Sequence, residues 1–165
     1  MSLILIVDDN PDHIQVLSYK IKRSPSMIGR AYQIVTTDSG MGALEYFTRQ
    51  DALPPDVMFM DTNMPKMDGD EACKRLRDSG ITVPIYGMTL SSDPEYVQRW
   101  KNSQATGFVH KDYLLTNEGR SQKVLQALGL TGSSVLETIL QRHLPNLTHI
   151  PPFPITSQTP YSPMA

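Results

Sequence analysis

At 165 residues the chain can bury one real core and carry an appendage. A hydrophobic share of 39% and a charged share of 19% are ordinary for a soluble domain, and a net charge of −2 gives no electrostatic case for direct binding of nucleic acid or an anionic membrane. The lone Cys73 excludes an internal disulfide and a cysteine-based zinc site, and the apolar run at residues 3–7 is too short for a signal peptide or a membrane span, so a cytoplasmic chain with no membrane contact is expected.

Strand-like and helix-like segments alternate up to about residue 112. Residues 3–7 form a continuous Ile- and Leu-rich run, which suits a strand buried on both faces. Pro11-Asp12 starts a helix with Ile14, Leu17 and Ile21 at spacings of three and four. Beyond Gly29, residues 31–36 read as a second strand, and Ser39-Gly40 precedes a helix with Ala43, Leu44 and Phe47 on one face. Pro54-Pro55 breaks the chain before a third strand at residues 57–60. Gly69 opens a helix with Ala72, Cys73 and Leu76 inward, which ends at Ser79-Gly80. Residues 84–87 are a fourth strand. Ser92-Asp93-Pro94 caps a helix through Asn102, with Val97 and Trp100 as core contacts. Residues 106–110 are a fifth strand. This β-then-α order implies a parallel sheet covered by helices on both faces.

Two helical patterns follow, at residues 120–128 and 133–144. The second carries Val135, Leu136, Ile139, Leu140 and Leu144 on one face and Glu137 in its first turn. It is taken as the last packing helix, with 112–132 as an insertion; the alternative packs the first helix on the sheet instead. A domain over 1–144 and a tail or linker over 145–165 result, the tail holding six of the 13 prolines and no charged residue.

The chemistry lies at strand ends. Asp8 and Asp9 follow the first strand, Asp61 the third, Thr89 the fourth and Lys111 the fifth. In a parallel sheet these ends share one edge, where ligands of open α/β sheets bind. Three carboxylates repel one another and call for a hard cation, Mg²⁺. Asp61 would be a nucleophile toward phosphorus, with Mg²⁺ on Asp8, Asp9, Asp61 and the backbone carbonyl of Asn63. Thr89 and Lys111 would each hold a phosphoryl oxygen. Taken singly, each feature has an ordinary reading as a solvated strand end, a turn residue, a cap or a surface charge. His13, His110, His143 and His149 lack metal spacing and read as surface or satisfied residues.

Four segments taken together, Ile6-Val7-Asp8-Asp9-Asn10, Met60 to Gly69, Gly87-Met88-Thr89 and Val109-His110-Lys111, resemble the receiver domain of two-component response regulators. The resemblance covers about residues 3–112. It implies a flavodoxin-like doubly wound sandwich with a five-stranded parallel sheet in order 2-1-3-4-5. It also implies phosphorylation of Asp61 by a phosphohistidine on a histidine kinase or a histidine phosphotransfer protein, and switching of the face built from the fourth helix and fifth strand toward a downstream protein. The family's aromatic switch position falls on Phe108, which turns inward when Thr89 moves toward the phosphoryl group.

Two positions depart from the family. Asp112 stands where it usually has a proline, often in a cis bond, and Leu90 stands where it usually has a small residue. Leu90 is expected to narrow the approach to Asp61, and Asn63 and Ser91, flanking the expected water path, to tune phosphoryl lifetime. A receiver-like interaction module that is never phosphorylated is one alternative. A Mg²⁺-dependent aspartyl-phosphate phosphatase is a weaker one, since such enzymes commonly carry a second acid where Asn63 stands. The residues beyond Lys111 hold no output domain, so the chain is either a single-domain regulator or a receiver from a longer protein. Its C-terminal region is expected to cover a sheet end or a homodimer face.

Overall fold

The computed structural model describes residues 1–115 and 135–145. Its elements are β1 (Ser2–Val7), α1 (Pro11–Arg23), a 3₁₀ turn (Pro25–Met27), β2 (Tyr32–Thr37), α2 (Gly40–Tyr46), β3 (Val57–Asp61), α3 (Gly69–Asp78), β4 (Ile85–Thr89), α4 (Pro94–Asn102), β5 (Gly107–His110), α5 (Lys111–Leu115) and α6 (Val135–His143). All strand pairs are parallel, in the order β2-β1-β3-β4-β5. This is the flavodoxin-like doubly wound sheet expected from the alternation and the resemblance.

Side-chain alternation along the strands builds two cores. Ile4 and Ile6 of β1, Phe59 of β3 and Tyr86 and Met88 of β4 face Leu17 and Ile21 of α1, Leu114 of α5, and Leu136, Ile139 and Leu140 of α6. Leu5 and Val7, Met58 and Met60, and Ile85 face Ala43 of α2, Ala72, Cys73 and Leu76 of α3, and Trp100 of α4. Both faces of β1 and β3 are covered, which is why their sequences are apolar throughout rather than alternating.

Three helices start on side-chain caps: Asn10 accepts from the Asp12 N–H at 2.9 Å, Ser39 from Gly42 at 3.0 Å and Asp93 from Glu95 at 2.9 Å. Asp68, ahead of α3, makes no such bond; its carboxylate goes to Arg99 instead. The expected inward face of α2 holds Ala43, fully buried, with Leu44 and Phe47 half-buried against the core, and Tyr46 is buried beside them. The Tyr46 hydroxyl donates to the Leu53 carbonyl at 2.6 Å and closes the following loop. Val97 is only half-buried and Trp100 alone carries the contact of α4 with the core. Thr89 is the last residue of β4 rather than a loop residue beyond it.

At the C-terminal side, β5 runs directly into α5, and Leu114 there is fully buried, so the expected insertion opens as a packed helical turn. The remainder of that insertion, with the pattern at 120–128, and the tail from 146 onward lie outside the described residues. Helix α6 packs its apolar face into the core beside α1 and α5. It is clasped at two points. Buried Glu137 accepts from the hydroxyls of Ser24 and Ser26 and from the Ser26 N–H at 3.0 Å. His143 Nε2 lies 2.6 Å from the Tyr86 hydroxyl.

Candidate functional site

The carboxyl edge of the sheet brings the ends of β1, β3 and β5 to one point. The register sets Val7 beside Met60, so Asp8 and Asp61 are the next residues of neighbouring strands. Asp8 and Asp61 are buried and Asp9 is exposed. One carboxylate oxygen from each lies within 4.8 Å of the others. Lys111 reaches the same point from the junction of β5 and α5 and is itself 2% exposed. Its Nζ is 2.8 Å from Asp8 Oδ2 and 2.8 Å from Asp61 Oδ1. Backbone donors complete the hold: the Thr62 N–H donates to Asp61 Oδ1 at 2.9 Å and the Asn10 N–H to Asp8 Oδ1 at 2.9 Å.

Burial pushes the Asp61 carboxyl up to about 6, with Asp8 and Asp9 adding to the rise and Lys111 opposing it. Three carboxylates facing one ammonium leave an excess of negative charge. Their donor atoms are all hard oxygens, the set that suits a small divalent cation of the Mg²⁺ type and not a thiophilic metal.

The loop after Asp61 is braced from below. Gly69 is required there, because a Cβ would meet the Asp61 carbonyl oxygen at 1.9 Å. Thr62 is fully buried; its hydroxyl donates to the Met88 carbonyl at 2.6 Å and accepts from Trp100 Nε1 at 2.9 Å. The Trp100 ring lies on Gly87, where a Cβ would meet it at 2.3 Å. Arg99 of α4 spans Asp68 and Asp70 at 2.6 Å each.

Not every expected residue converges. Asp8, Asp9, Asp61 and Lys111 do. The Thr89 hydroxyl is buried but accepts from the Ser91 N–H at 3.0 Å, so it is held to the β4–α4 loop. Asn63 is exposed beside the pocket. Leu90 is 60% exposed, with its carbonyl 3.0 Å from His110 Nε2. Phe108 is 37% exposed and belongs to neither core. The Lys111–Asp112 bond is trans, as are all peptide bonds among the described residues.

Sequence reasoning missed His13. Read only as a surface or satisfied residue, it is half-buried, with Nδ1 2.8 Å from Lys111 Nζ at the site itself. The signal was available: His13 is in the first turn of the helix that follows Asp8-Asp9, and that turn stands on the same edge of the sheet. Trp100 was likewise read only as a core contact, without its bond to Thr62.

The profile described as the response regulator receiver domain matches residues 4–119. The alkaline phosphatase synthesis transcriptional regulatory protein PhoP of Bacillus subtilis is 33% identical over 90 residues, which are 54% of this chain and 34% of PhoP. The sensor histidine kinase RcsC of Escherichia coli is 33% identical over 113 residues, 68% of this chain and 11% of RcsC. The chain therefore spans about a third of the first of these relatives and about a tenth of the second. Among solved structures, the chemotaxis response regulator CheY4 of Vibrio cholerae aligns with TM-score 0.56 and 28% identity, covering 78% of this chain and 98% of that one. The Mn²⁺-bound form of the response regulator Rcp1 aligns with TM-score 0.61 and 17% identity, covering 84% and 91%, a likeness of fold. With the family profile spanning most of the chain and the acidic pocket at the same edge of a 2-1-3-4-5 sheet, the protein belongs to the response regulator receiver domain family, a signalling domain of two-component systems.

Proposed function

We propose that this receiver domain takes a phosphoryl group onto Asp61 from a phosphohistidine of a histidine kinase or histidine phosphotransfer protein and thereby alters its contacts with a downstream protein. One observation carries the reading: the Asp61 carboxylate is buried at a strand end, bonded to Lys111, with Asp8 and Asp9 oxygens within 4.8 Å.

An Asp61 oxygen attacks phosphorus. The bond from phosphorus to the donor imidazole nitrogen breaks, its electron pair stays on that nitrogen, and an acyl phosphate remains on Asp61. Asp8, Asp9, Asp61 and the Asn63 carbonyl are the groups that would hold Mg²⁺, which when bound supplies charge neutralisation at the transferring group. Lys111 holds one phosphoryl oxygen by a charge-assisted bond. The Thr89 hydroxyl holds another once it leaves Ser91, and Phe108, now on the surface, turns in behind it. The phosphoryl oxygens favour the second arrangement because they bond Thr89 only there. The chain is a signalling device and turns over no other substrate; its own phosphotransfer and dephosphorylation are the chemistry proposed. Asn63, Leu90 and Ser91 line the approach and set the lifetime of the acyl phosphate.

We place the functional unit at residues 1–144, with 145–165 as tail or linker, in the cytoplasm. No helix among the described residues is long and apolar enough to cross a membrane. Incubation of the full chain with Mg²⁺ and acetyl phosphate, followed by intact mass beside Asp61→Asn, tests the proposal. One phosphoryl group is expected on the wild type and none on the variant. An unmodified wild type that is also unmodified by a cognate kinase would instead support an interaction module that never becomes phosphorylated.

A further inference from the structure

The ammonium of Lys111 has three N–H donors and nothing to accept with. Three acceptors stand at 2.8 Å from it: Asp8 Oδ2, Asp61 Oδ1 and His13 Nδ1. With Lys111 only 2% exposed, each donor has a protein partner and water is not needed to complete the set. His13 Nδ1 is also 3.5 Å from Asp8 Oδ2, the separation of two acceptors sharing one donor group rather than of a bonded pair.

An ammonium can only donate, so the contact requires the lone pair on His13 Nδ1 and the ring hydrogen on Nε2. In this tautomer the Asn10 amide nitrogen, 3.4 Å from Nε2, is a donor facing a donor and makes no hydrogen bond to the ring. The ring is presented by a rigid first turn. Asn10 caps α1 through its side chain, and its own N–H is tied to Asp8 Oδ1 at 2.9 Å.

Two of the three legs are carboxylates that phosphotransfer engages elsewhere. Asp8 is wanted by the cation, and an Asp61 oxygen becomes bonded to phosphorus. The third leg stands outside the reacting set. We propose that His13 is a positioning residue for Lys111: its Nδ1 keeps the ammonium aimed into the pocket while Asp8 and Asp61 change partners. The role rests on the phosphoacceptor reading of the site. Without this leg the long lysine side chain loses its fixed direction at the moment it is needed on a phosphoryl oxygen.

Two substitutions isolate the leg. Asn places Oδ1 as many bonds from the backbone as Nδ1 of histidine, so His13→Asn retains an acceptor there. His13→Leu retains bulk and removes it. In ¹⁵N-labelled full-length chain, a slowly exchanging Lys111 side-chain ammonium signal is expected in wild type and in His13→Asn, and its loss in His13→Leu. With acetyl phosphate and Mg²⁺, phosphorylation of His13→Leu is expected to slow about tenfold, and His13→Asn to recover most of the rate. A wild-type rate in His13→Leu overturns the proposal whatever its signal, and so does a His13→Asn no better than His13→Leu. If the wild type takes no phosphoryl group at all, the phosphoacceptor reading fails separately, and the ammonium signal alone decides whether His13 holds Lys111.

Discussion

Lys111 Nζ and Asp61 Oδ1 lie 2.8 Å apart, yet the Asp61 carboxyl is still raised to about 6. Burial outweighs the ion pair, so Asp61 is ionised at a cost. The folded chain holds this proton more firmly than the unfolded chain, whose carboxyl keeps its ordinary value near 3.8. Stability from this group is therefore complete below about pH 4 and is lost as pH rises through about 6. Asp61→Asn should be more stable than wild type at pH 7.5, on the order of 2 kcal/mol, and the two should converge toward pH 4. Urea denaturation at the two pH values measures both halves of this expectation.

The same imbalance predicts a response to cations. Mg²⁺ binding to the folded chain alone stabilises it by mass action, about 2.7 kcal/mol at a hundredfold excess over Kd. The melting temperature of wild type should rise with Mg²⁺, and that of Asp8→Asn or Asp61→Asn should rise far less. An equal rise in all three would place the cation elsewhere.

Leu90 offers a kinetic test. At 60% exposed, directly after Thr89, it lies outside the core, so Leu90→Ala should fold as wild type does. Phosphorylation by acetyl phosphate and loss of the phosphoryl group should both become faster, each by a few-fold, about 1 kcal/mol of barrier. Unchanged rates would remove Leu90 from the list of residues that set the lifetime.

Helix α6 lies beyond the stretch matched by the family profile, and one of its two polar clasps on the domain is a buried acid. Glu137→Ala leaves the Ser24 and Ser26 hydroxyls and the Ser26 N–H without their acceptor, a loss of about 2 kcal/mol. Ending the chain at residue 134 should cost more, because Leu136, Ile139, Leu140 and Leu144 leave the core. A truncated chain of undiminished stability would show that the folded unit stops before α6.

Beneath the acceptor, the fit of Trp100 on Gly87 is tight. Gly87→Ala puts a methyl group into the indole and should destabilise by roughly 1–3 kcal/mol. Thr62→Val strands the buried indole N–H and should cost a similar amount, about 1–3 kcal/mol. Thermal denaturation of both variants checks this.

Much of the architecture could be read from local pattern. Residues 3–7 and 57–60 are apolar without alternation because both faces are covered, and the caps at Asn10, Ser39 and Asp93 sit within a residue or so of the expected starts. Asp8, Asp9, Asp61 and Lys111 could be placed together because parallel strands share one end. What escaped was side-chain pairing between elements distant in sequence. The first turn of α1 sets His13 at the edge of the site, but nothing local names Lys111 as its partner, and nothing local to Glu137 announces Ser24 and Ser26. Tyr46 joins Phe47 at the core with its hydroxyl on the Leu53 carbonyl, a partner that helical periodicity does not describe. Leu114 is buried although it begins a segment with no clear periodicity, because β5 delivers it directly to the sheet face.

The chain has one tryptophan, and its indole nitrogen bonds the residue next to Asp61. Any cation or phosphoryl group that shifts Thr62 by a fraction of an ångström alters the field felt by that ring. The domain thus carries a built-in optical probe, and selective excitation of this one indole in the unlabelled protein should report events at Asp61 in solution without a dye.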